Sequence, residues 1–238
     1  MPVSDKHQFL YIHIPKCAGT SIGASLNQLT PLSFYKPGDL DKTNPEFWEL
    51  AKLTGKLHRK EKHLSANELK NMIGETKFKK YFKFTFVRHP ANRLISLYNF
   101  FRNHRNPEVK RKQVRLAIAS ENVNNFIYEM SLDKDFDLNF NQWRYIYDFE
   151  GKNCLVDYIG KTETVEKNFN EVYKKIGLKQ SFKNRLMNFF SKDSLFVPFL
   201  NISKNKRSEF FRDLTDESKE LLRIRCKKDC DLFDYQID

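Results

Sequence analysis

Hydrophobic positions gather in three short runs, and after each the period changes from strand-like to helix-like. Phe9-Leu10-Tyr11-Ile12-His13-Ile14 is mostly apolar, aromatic and β-branched, which predicts a buried strand. Pro15 cannot donate to a ladder and should end it. Beyond Gly19, Ile22, Leu26 and Leu29 fall near helical spacing, and Thr20 or Ser21 can cap that helix. Lys83-Phe84-Thr85-Phe86-Val87 predicts a second strand. Arg88-His89-Pro90 leads from it into a helix from about Ala91 to Phe101, with Leu94, Leu97, Tyr98 and Phe101 as its apolar stripe. Asn153 to Gly160 predicts a third strand, with a helix from Glu163.

Between these units the pattern is less regular. Thr30 to Thr54 is punctuated by Pro31, Pro37, Gly38 and Pro45 and reads as a loop with short helical turns. Ser65 and Glu68 have capping-box spacing, so a helix should run from near Ala66 to near Gly74. The stretch from Arg102 to Met130 reads as basic and then helical. A closing helix is expected from about Asp216 to Lys228, its stripe carried by Leu221, Leu222 and Ile224. Strands that each feed a helix predict an α/β fold with a mostly parallel central sheet. In such sheets ligands sit beyond the carboxyl ends of the strands.

Composition narrows the picture. A chain of 238 residues, 40% of them hydrophobic, fits one domain with a full core. No run is long and apolar enough to predict a transmembrane helix. The opening MPVSDKHQ lacks the apolar core of a signal peptide. Four scattered cysteines give no disulfide framework, and Cys226 and Cys230 lack the histidines that would suggest zinc. Reduced thiols and a cytoplasmic setting are the expectation. The net charge of +12 and pI of about 9.4 point to anionic partners: nucleotide, polyanionic glycan, nucleic acid or a membrane surface.

The candidate chemistry lies at the strand-to-helix bends. Helix-start amides and the helix dipole favour an anion after the first strand. Gly19 lets the backbone approach it, Lys16 adds a point charge, and Thr20 and Ser21 add hydroxyls. The order is not that of the nucleoside-triphosphatase loop, where Lys follows the second Gly. The second strand ends on the same kind of bend, at Arg88-His89-Pro90. Residues alone leave open a P-loop-class phosphotransferase using ATP and Mg²⁺, or a basic polyanion-binding module.

His13-Ile14-Pro15-Lys16-Cys17-Ala18-Gly19-Thr20-Ser21 resembles the 5′-phosphosulfate loop of carbohydrate sulfotransferases that use 3′-phosphoadenosine 5′-phosphosulfate (PAPS). Their pattern is H-I-P-K-[TS]-x-G-[TS]-[ST], and Cys17 departs from it. The segment FVRHPANRLISLYNFF resembles the family's second anchor, although His89 stands where Asp or Asn is common. His63-Leu64-Ser65-Ala66 resembles the H-x-[ST]-A of bacterial members. Weaker likenesses lie at Gly160 to Val165, at Asn201-Ile202-Ser203, and in the tail, which follows a D-x-x-x-F-x-Y pattern.

The resemblance implies a P-loop-like three-layer α/β/α sandwich over residues 1–238, as a single domain. It implies sulfuryl transfer from PAPS to a carbohydrate hydroxyl, leaving 3′-phosphoadenosine 5′-phosphate (PAP), without a metal. Lys16, Cys17, Ala18, Gly19, Thr20 and Ser21 would hold the phosphosulfate, Arg88 and Ser96 the 3′-phosphate, with Asn201 and Ser203 beside the donor. Lys16 and His63 would be catalytic, His63 as the base, with His58 the alternative. His58, Gln142 and Arg144 are placed on the acceptor side. The acceptor could be polyanionic or lipid-linked; nucleic acid is not expected, and the oligomeric state is open. The basic residues Arg102, Arg105, Lys110, Arg111, Lys112 and Arg115 are either a solvated helix face or a wall for an anionic acceptor.

Overall fold

The structure, a computed structural model, describes residues 2–29, 33–34, 63–103, 112–178 and 210–238. The chain divides into two compact units, Met1–Val87 with Arg144–Leu200, and Arg88–Trp143 with Asn201–Asp238. Neither is continuous in sequence, which is why no Pro- or Gly-rich linker marks a boundary.

The first unit carries the sheet. Its strands are β1 (Pro2–Ser4), β2 (Phe9–Ile12), β3 (Ser33–Phe34), β4 (Phe82–Val87) and β5 (Tyr158–Lys161), in spatial order β3-β1-β2-β4-β5. β2 pairs with β4 and β4 with β5 in parallel, while β1 runs antiparallel to both β2 and β3. Among the described strands only β1 therefore opposes the others, and the sheet is mostly parallel as its sequence predicts. Among the described residues, the helices of this unit are α1 (Gly19–Leu29), α2 (Ala66–Ile73), α3 (Glu75–Lys80) and, late in the chain, α8 (Val165–Lys175).

Alternation along the strands decides what each face buries. Phe9 and Tyr11 of β2 and Phe84 and Phe86 of β4 form one cluster with Ile22 and Leu26 of α1 and with Val165, Phe169 and Val172 of α8. Each ring buried this way contributes about 2–3 kcal/mol relative to exposure. The opposite face, with Leu10, Ile12, Thr85 and Val87, is equally inaccessible at 0% exposure. Gly160 has a packing reason: a Cβ there would come within 2.7 Å of the Phe86 ring. Buried Lys83 is tied down at the start of β4. Its ammonium donates to the Tyr81 carbonyl at 2.7 Å and pairs with Asp157 at 2.8 Å.

The third strand is shorter than its apolar run suggests. Asp148 N–H donates to Asn153 O at 2.9 Å and Leu155 N–H to Ile146 O at 2.7 Å. Residues 153–155 thus spend their backbone groups on a local turn, and the ladder with β4 begins only at Tyr158.

The second unit is helical. Among the described residues it comprises α4 (Pro90–Arg102), α5 (Lys112–Ala119), α6 (Val123–Ser131), α7 (Phe136–Phe140), α9 (Asp216–Arg225) and α10 (Lys227–Phe233). Leu94, Leu97, Tyr98 and Phe101, the predicted stripe of α4, share a core with Phe126 and Ile127 of α6 and Leu222 of α9. Pro90 opens α4 at a position where no N–H is needed. The Asn122 side chain caps α6 by accepting from the amides of Asn124 and Asn125 at 2.9 and 3.1 Å. The expected closing helix divides at Cys226, whose φ and ψ of −107° and 13° interrupt the ladder. Among the described residues, no helix is long and apolar enough to cross a membrane.

Candidate functional site

β2 and β4 are parallel neighbours, so their carboxyl ends open on the same edge of the sheet. The first anchor follows β2. Thr85 Oγ1 donates to the Ile12 carbonyl at 2.7 Å and pins the last residue of β2 to β4. Pro15 to Ala18 then form a tight loop with two left-handed residues, Lys16 at φ 67° and Ala18 at φ 53°. Such conformations are strained for residues with a Cβ and persist where the surroundings over-determine them. The Cys17 amide donates to Ile14 O at 3.3 Å, and its fully buried thiol points toward Pro15 O at 3.8 Å. Cys17 therefore belongs to the framework of the loop. This explains how a thiol can stand where the related pattern has a hydroxyl.

The first helical bond of α1 runs from Ile22 N–H to Ala18 O at 3.0 Å. The amides of Gly19, Thr20 and Ser21 thus precede the ladder, at the positive end of the helix dipole. No acidic residue occupies the first turn of α1 to compete for them. The side chain of Thr20 is exposed, and that of Ser21 is buried. This arrangement fits a phosphate- or sulfate-like group.

His63 is brought to this loop from 50 residues away. Its Nδ1 lies 3.1 Å from the His13 carbonyl, and the two imidazoles approach to 4.5 Å between centroids. A carbonyl can only accept, so this bond places the proton on Nδ1 and the neutral ring's lone pair on Nε2. The His13 ring continues the aromatic row of β2, stacked on Tyr11 at 5.8 Å. It also fills the space beside Gly19: a Cβ on Gly19 would lie 1.7 Å from His13 Nε2. Tyr11 is buried behind the loop, its hydroxyl without a hydrogen-bond partner among the described residues. Burial, with Cys17 nearby, holds the phenol well above its ordinary pKa.

The second anchor follows β4. Arg88 and His89 lie between the last strand residue, Val87, and the first helical residue, Pro90. The Gln142 side chain supplies what neither element gives Arg88: Oε1 accepts from Arg88 N–H and Nε2 donates to Arg88 O, both at 2.8 Å. Gln142 is in turn held by Asp229. The two carboxylate oxygens accept from Gln142 N–H at 2.9 and 2.8 Å, and Trp143 N–H adds a bond of 2.9 Å. Burial pushes the Asp229 carboxyl up to about 6, against the pull of these amides and of Arg93. On α4, Ser96 shares an i, i+4 row with Asn92 and exposed Phe100, while Arg93, Leu94, Leu97 and Tyr98 are buried. Ser96 is therefore on the open side of that helix, about 9 Å along it from Pro90.

Comparison with known proteins gives these two anchors a context. The family model described as "Sulfotransferase family" matches residues 1–236. The chain belongs to the sulfotransferase family. Carbohydrate sulfotransferase 12 of Mus musculus is 24% identical over 248 aligned positions, covering 88% of this chain and 56% of the relative. An uncharacterized protein of Archaeoglobus fulgidus is 28% identical over 118 positions, covering 50% of this chain and 86% of its own length. The chain thus spans little more than half the length of the mouse enzyme. No solved structure matches it.

Within this sulfotransferase-family chain, the remaining sequence-predicted residues fall in different places. Gln142, expected on the acceptor side, is 0% exposed and engaged with Arg88 and Asp229, so the structure gives it a scaffolding position. Arg144 is half-buried in the 3-10 turn Trp143–Tyr145. His58, Asn201 and Ser203 lie outside the described residues. Of the basic stretch, Arg102 donates to Tyr98 Oη at 2.7 Å, Lys112 pairs with Asp133 at 3.5 Å, and Arg115 is exposed. Residues 104–111, with Arg105, Lys110 and Arg111, lie outside. Arg93 donates to the Phe140 carbonyl and is buried. His89 is held by the Gln236 carbonyl at 2.7 Å. Asp229 was not predicted from its own surroundings; the tail pattern that begins with it was the available signal. His13 was legible only as a motif residue, although its place two residues after Tyr11 puts it on the face of the aromatic row.

Proposed function

We propose that this chain transfers a sulfuryl group from PAPS to a hydroxyl of a carbohydrate acceptor. The observation that carries the reading is His63 against the carbonyl of His13, whose ring lies beside Gly19 of the Lys16–Ser21 loop. It supports a base role, since a neutral imidazole donating from Nδ1 keeps Nε2 as its acceptor, and the neighbouring loop suits an anion. Membership of the sulfotransferase family and the carbohydrate sulfotransferase relative support the same reading. In it, the sheet is the middle layer of a P-loop-like sandwich.

PAPS supplies the activated sulfuryl group. Gly19, Thr20 and Ser21 would orient the phosphosulfate through helix-start amides and hydroxyls, with Arg88 and Ser96 holding the 3′-phosphate. Lys16 would place its ammonium where negative charge grows on the departing phosphate. His63 Nε2 would take the proton from the acceptor hydroxyl as that oxygen attacks. Catalysis of this kind is mainly positioning and electrostatic stabilisation. Lys16 and Arg88 can supply the positive charge, so the reading calls for no metal.

Labelled PAPS and a panel of sugars and oligosaccharides test it. His63→Ala should lower turnover about 10²–10⁴-fold, the usual range for a general base, with PAP affinity retained. Lys16→Ala should lower turnover at saturating PAPS about 10²–10³-fold. Turnover near wild type in His63→Ala would remove the base assignment. Failure of calorimetry to detect PAP binding would remove the donor.

A further inference from the structure

The bend between β4 and α4 poses a backbone problem. Arg88 follows the last ladder residue and precedes the first helical one. Its N–H and C=O therefore belong to neither element, although buried or half-buried backbone groups need partners. Water could serve them at an ordinary bend. Here a side chain serves both. The Gln142 amide pairs with Arg88 N–H and C=O in a two-point clamp, both bonds at 2.8 Å. The clamp is itself immobilised. Gln142 Nε2 has a second hydrogen, directed at Asp229 Oδ2 at 3.2 Å, and the Asp229 carboxylate also holds the main chain of Gln142 and Trp143. Asp229 is 1% exposed and Gln142 0%. The next residue of the bend, His89, is secured by Gln236 O at 2.7 Å and packs edge-on against Tyr235 and Phe211. Two consecutive residues are thus fixed from α10 and the tail that follows it.

A carboxylate buried this deeply weakens the fold near neutral pH, since burial lifts its pKa to about 6. A role in geometry accounts for its presence better than a role in stability does. We propose that Gln142 and Asp229 are positioning residues for Arg88: Asp229 fixes the Gln142 amide, and the amide fixes the Arg88 backbone so that the guanidinium meets the 3′-phosphate of the donor in one orientation. This inference rests on the reading of Arg88 as the 3′-phosphate ligand. It adds a specificity device on which discrimination between 3′-phosphorylated and plain adenosine nucleotides depends.

The test is calorimetric, on the full chain, with PAP and with adenosine 5′-monophosphate, which lacks only the 3′-phosphate. The readout is the dissociation constant for the monophosphate divided by that for PAP. Gln142→Met keeps the side-chain volume and removes both clamp bonds. It should lower the ratio about tenfold, as expected when hydrogen bonds that aim an ionic contact are lost, while affinity for the monophosphate stays within about twofold. Asp229→Asn, which differs by one atom, should act in the same direction and provides the reading if Gln142→Met does not fold. Arg88→Ala is the reference. If it abolishes discrimination while both other variants keep the wild-type ratio, the positioning role is wrong and the 3′-phosphate reading survives. Parallel loss of affinity for both nucleotides in Gln142→Met would mean general disruption and overturn the inference. If Arg88→Ala leaves the ratio unchanged, the 3′-phosphate reading fails and takes the inference with it.

Discussion

Gly19 shows how one missing atom governs the first anchor. A Cβ would sit 1.7 Å from His13 Nε2, far inside contact distance, so the imidazole must move if Gly19 gains a methyl. The His13 carbonyl is also the partner of His63. Gly19→Ala should therefore cost about 1–3 kcal/mol, the range for overpacking a filled site, and lower turnover at least about tenfold if His63 is the base. His13→Ala made on top should recover much of the lost stability, because the two side chains compete for one volume and their effects are not additive. Simple addition in chemical denaturation would contradict the packing account. Asp229 gives a pH signature. Its folded pKa of about 6 exceeds the ordinary 3.8, so between those values the folded state holds a proton that the unfolded state has released. Stability from this group is present below pH 4 and declines as pH rises to 6, by about 3 kcal/mol in all. Relative to Asp229→Asn, wild type should lose that amount between pH 4 and 6 in denaturant melts. A pH-independent difference would show that the carboxyl is not perturbed.

At the scale of elements, signals carried by a few adjacent residues were legible and those set by competing partners were not. The box at Ser65 and Glu68 forms as its spacing predicts: Ser65 Oγ accepts from Glu68 N–H at 3.3 Å, and Glu68 Oε2 accepts from Ser65 N–H at 2.6 Å. Helix α2 runs Ala66–Ile73 with Gly74 at its end, and β4 with the start of α4 is equally local. The third strand misled because Leu155 N–H finds Ile146 O, a pairing that apolar runs do not encode. The break at Cys226 has no Gly or Pro to announce it, yet it begins the short helix that carries Asp229. The cap of α2 bears on the proposed base, since His63 lies two residues before it. Ser65→Ala should destabilise the fold by about 1 kcal/mol and lower turnover at saturating substrates, with PAP affinity unchanged. Unchanged turnover in a measurably destabilised variant would separate the cap from the base.

For the molecule as a whole, the two bends proposed to hold the donor stand out in the sequence, but what fixes them does not. Lys16 and Arg88 stand out because each follows an apolar strand. The partners that hold the second anchor, Gln142 and Asp229, come from 54 and 141 positions away from Arg88 (142 minus 88, 229 minus 88), in a unit assembled from two separate stretches of chain. Contacts over such separations have no periodicity to read. The net charge of +12 acts at this scale too, and its consequence can be separated from donor binding. Arg102 is already engaged with Tyr98 and Lys112 with Asp133, but two partnered side chains cannot absorb an excess spread over the whole chain. That excess should attract anionic acceptors over a range set by ionic strength: the Debye length is about 10 Å at 0.1 M salt and about 3 Å at 1 M. With PAPS kept saturating at each salt concentration, KM for a carboxylated or sulfated oligosaccharide should rise about tenfold between about 0.05 and 0.5 M salt. KM for a neutral oligosaccharide of the same length should change less than about twofold. If both rise together, the charge serves the donor or solubility, and the acceptor is chosen by shape and hydrogen bonding instead.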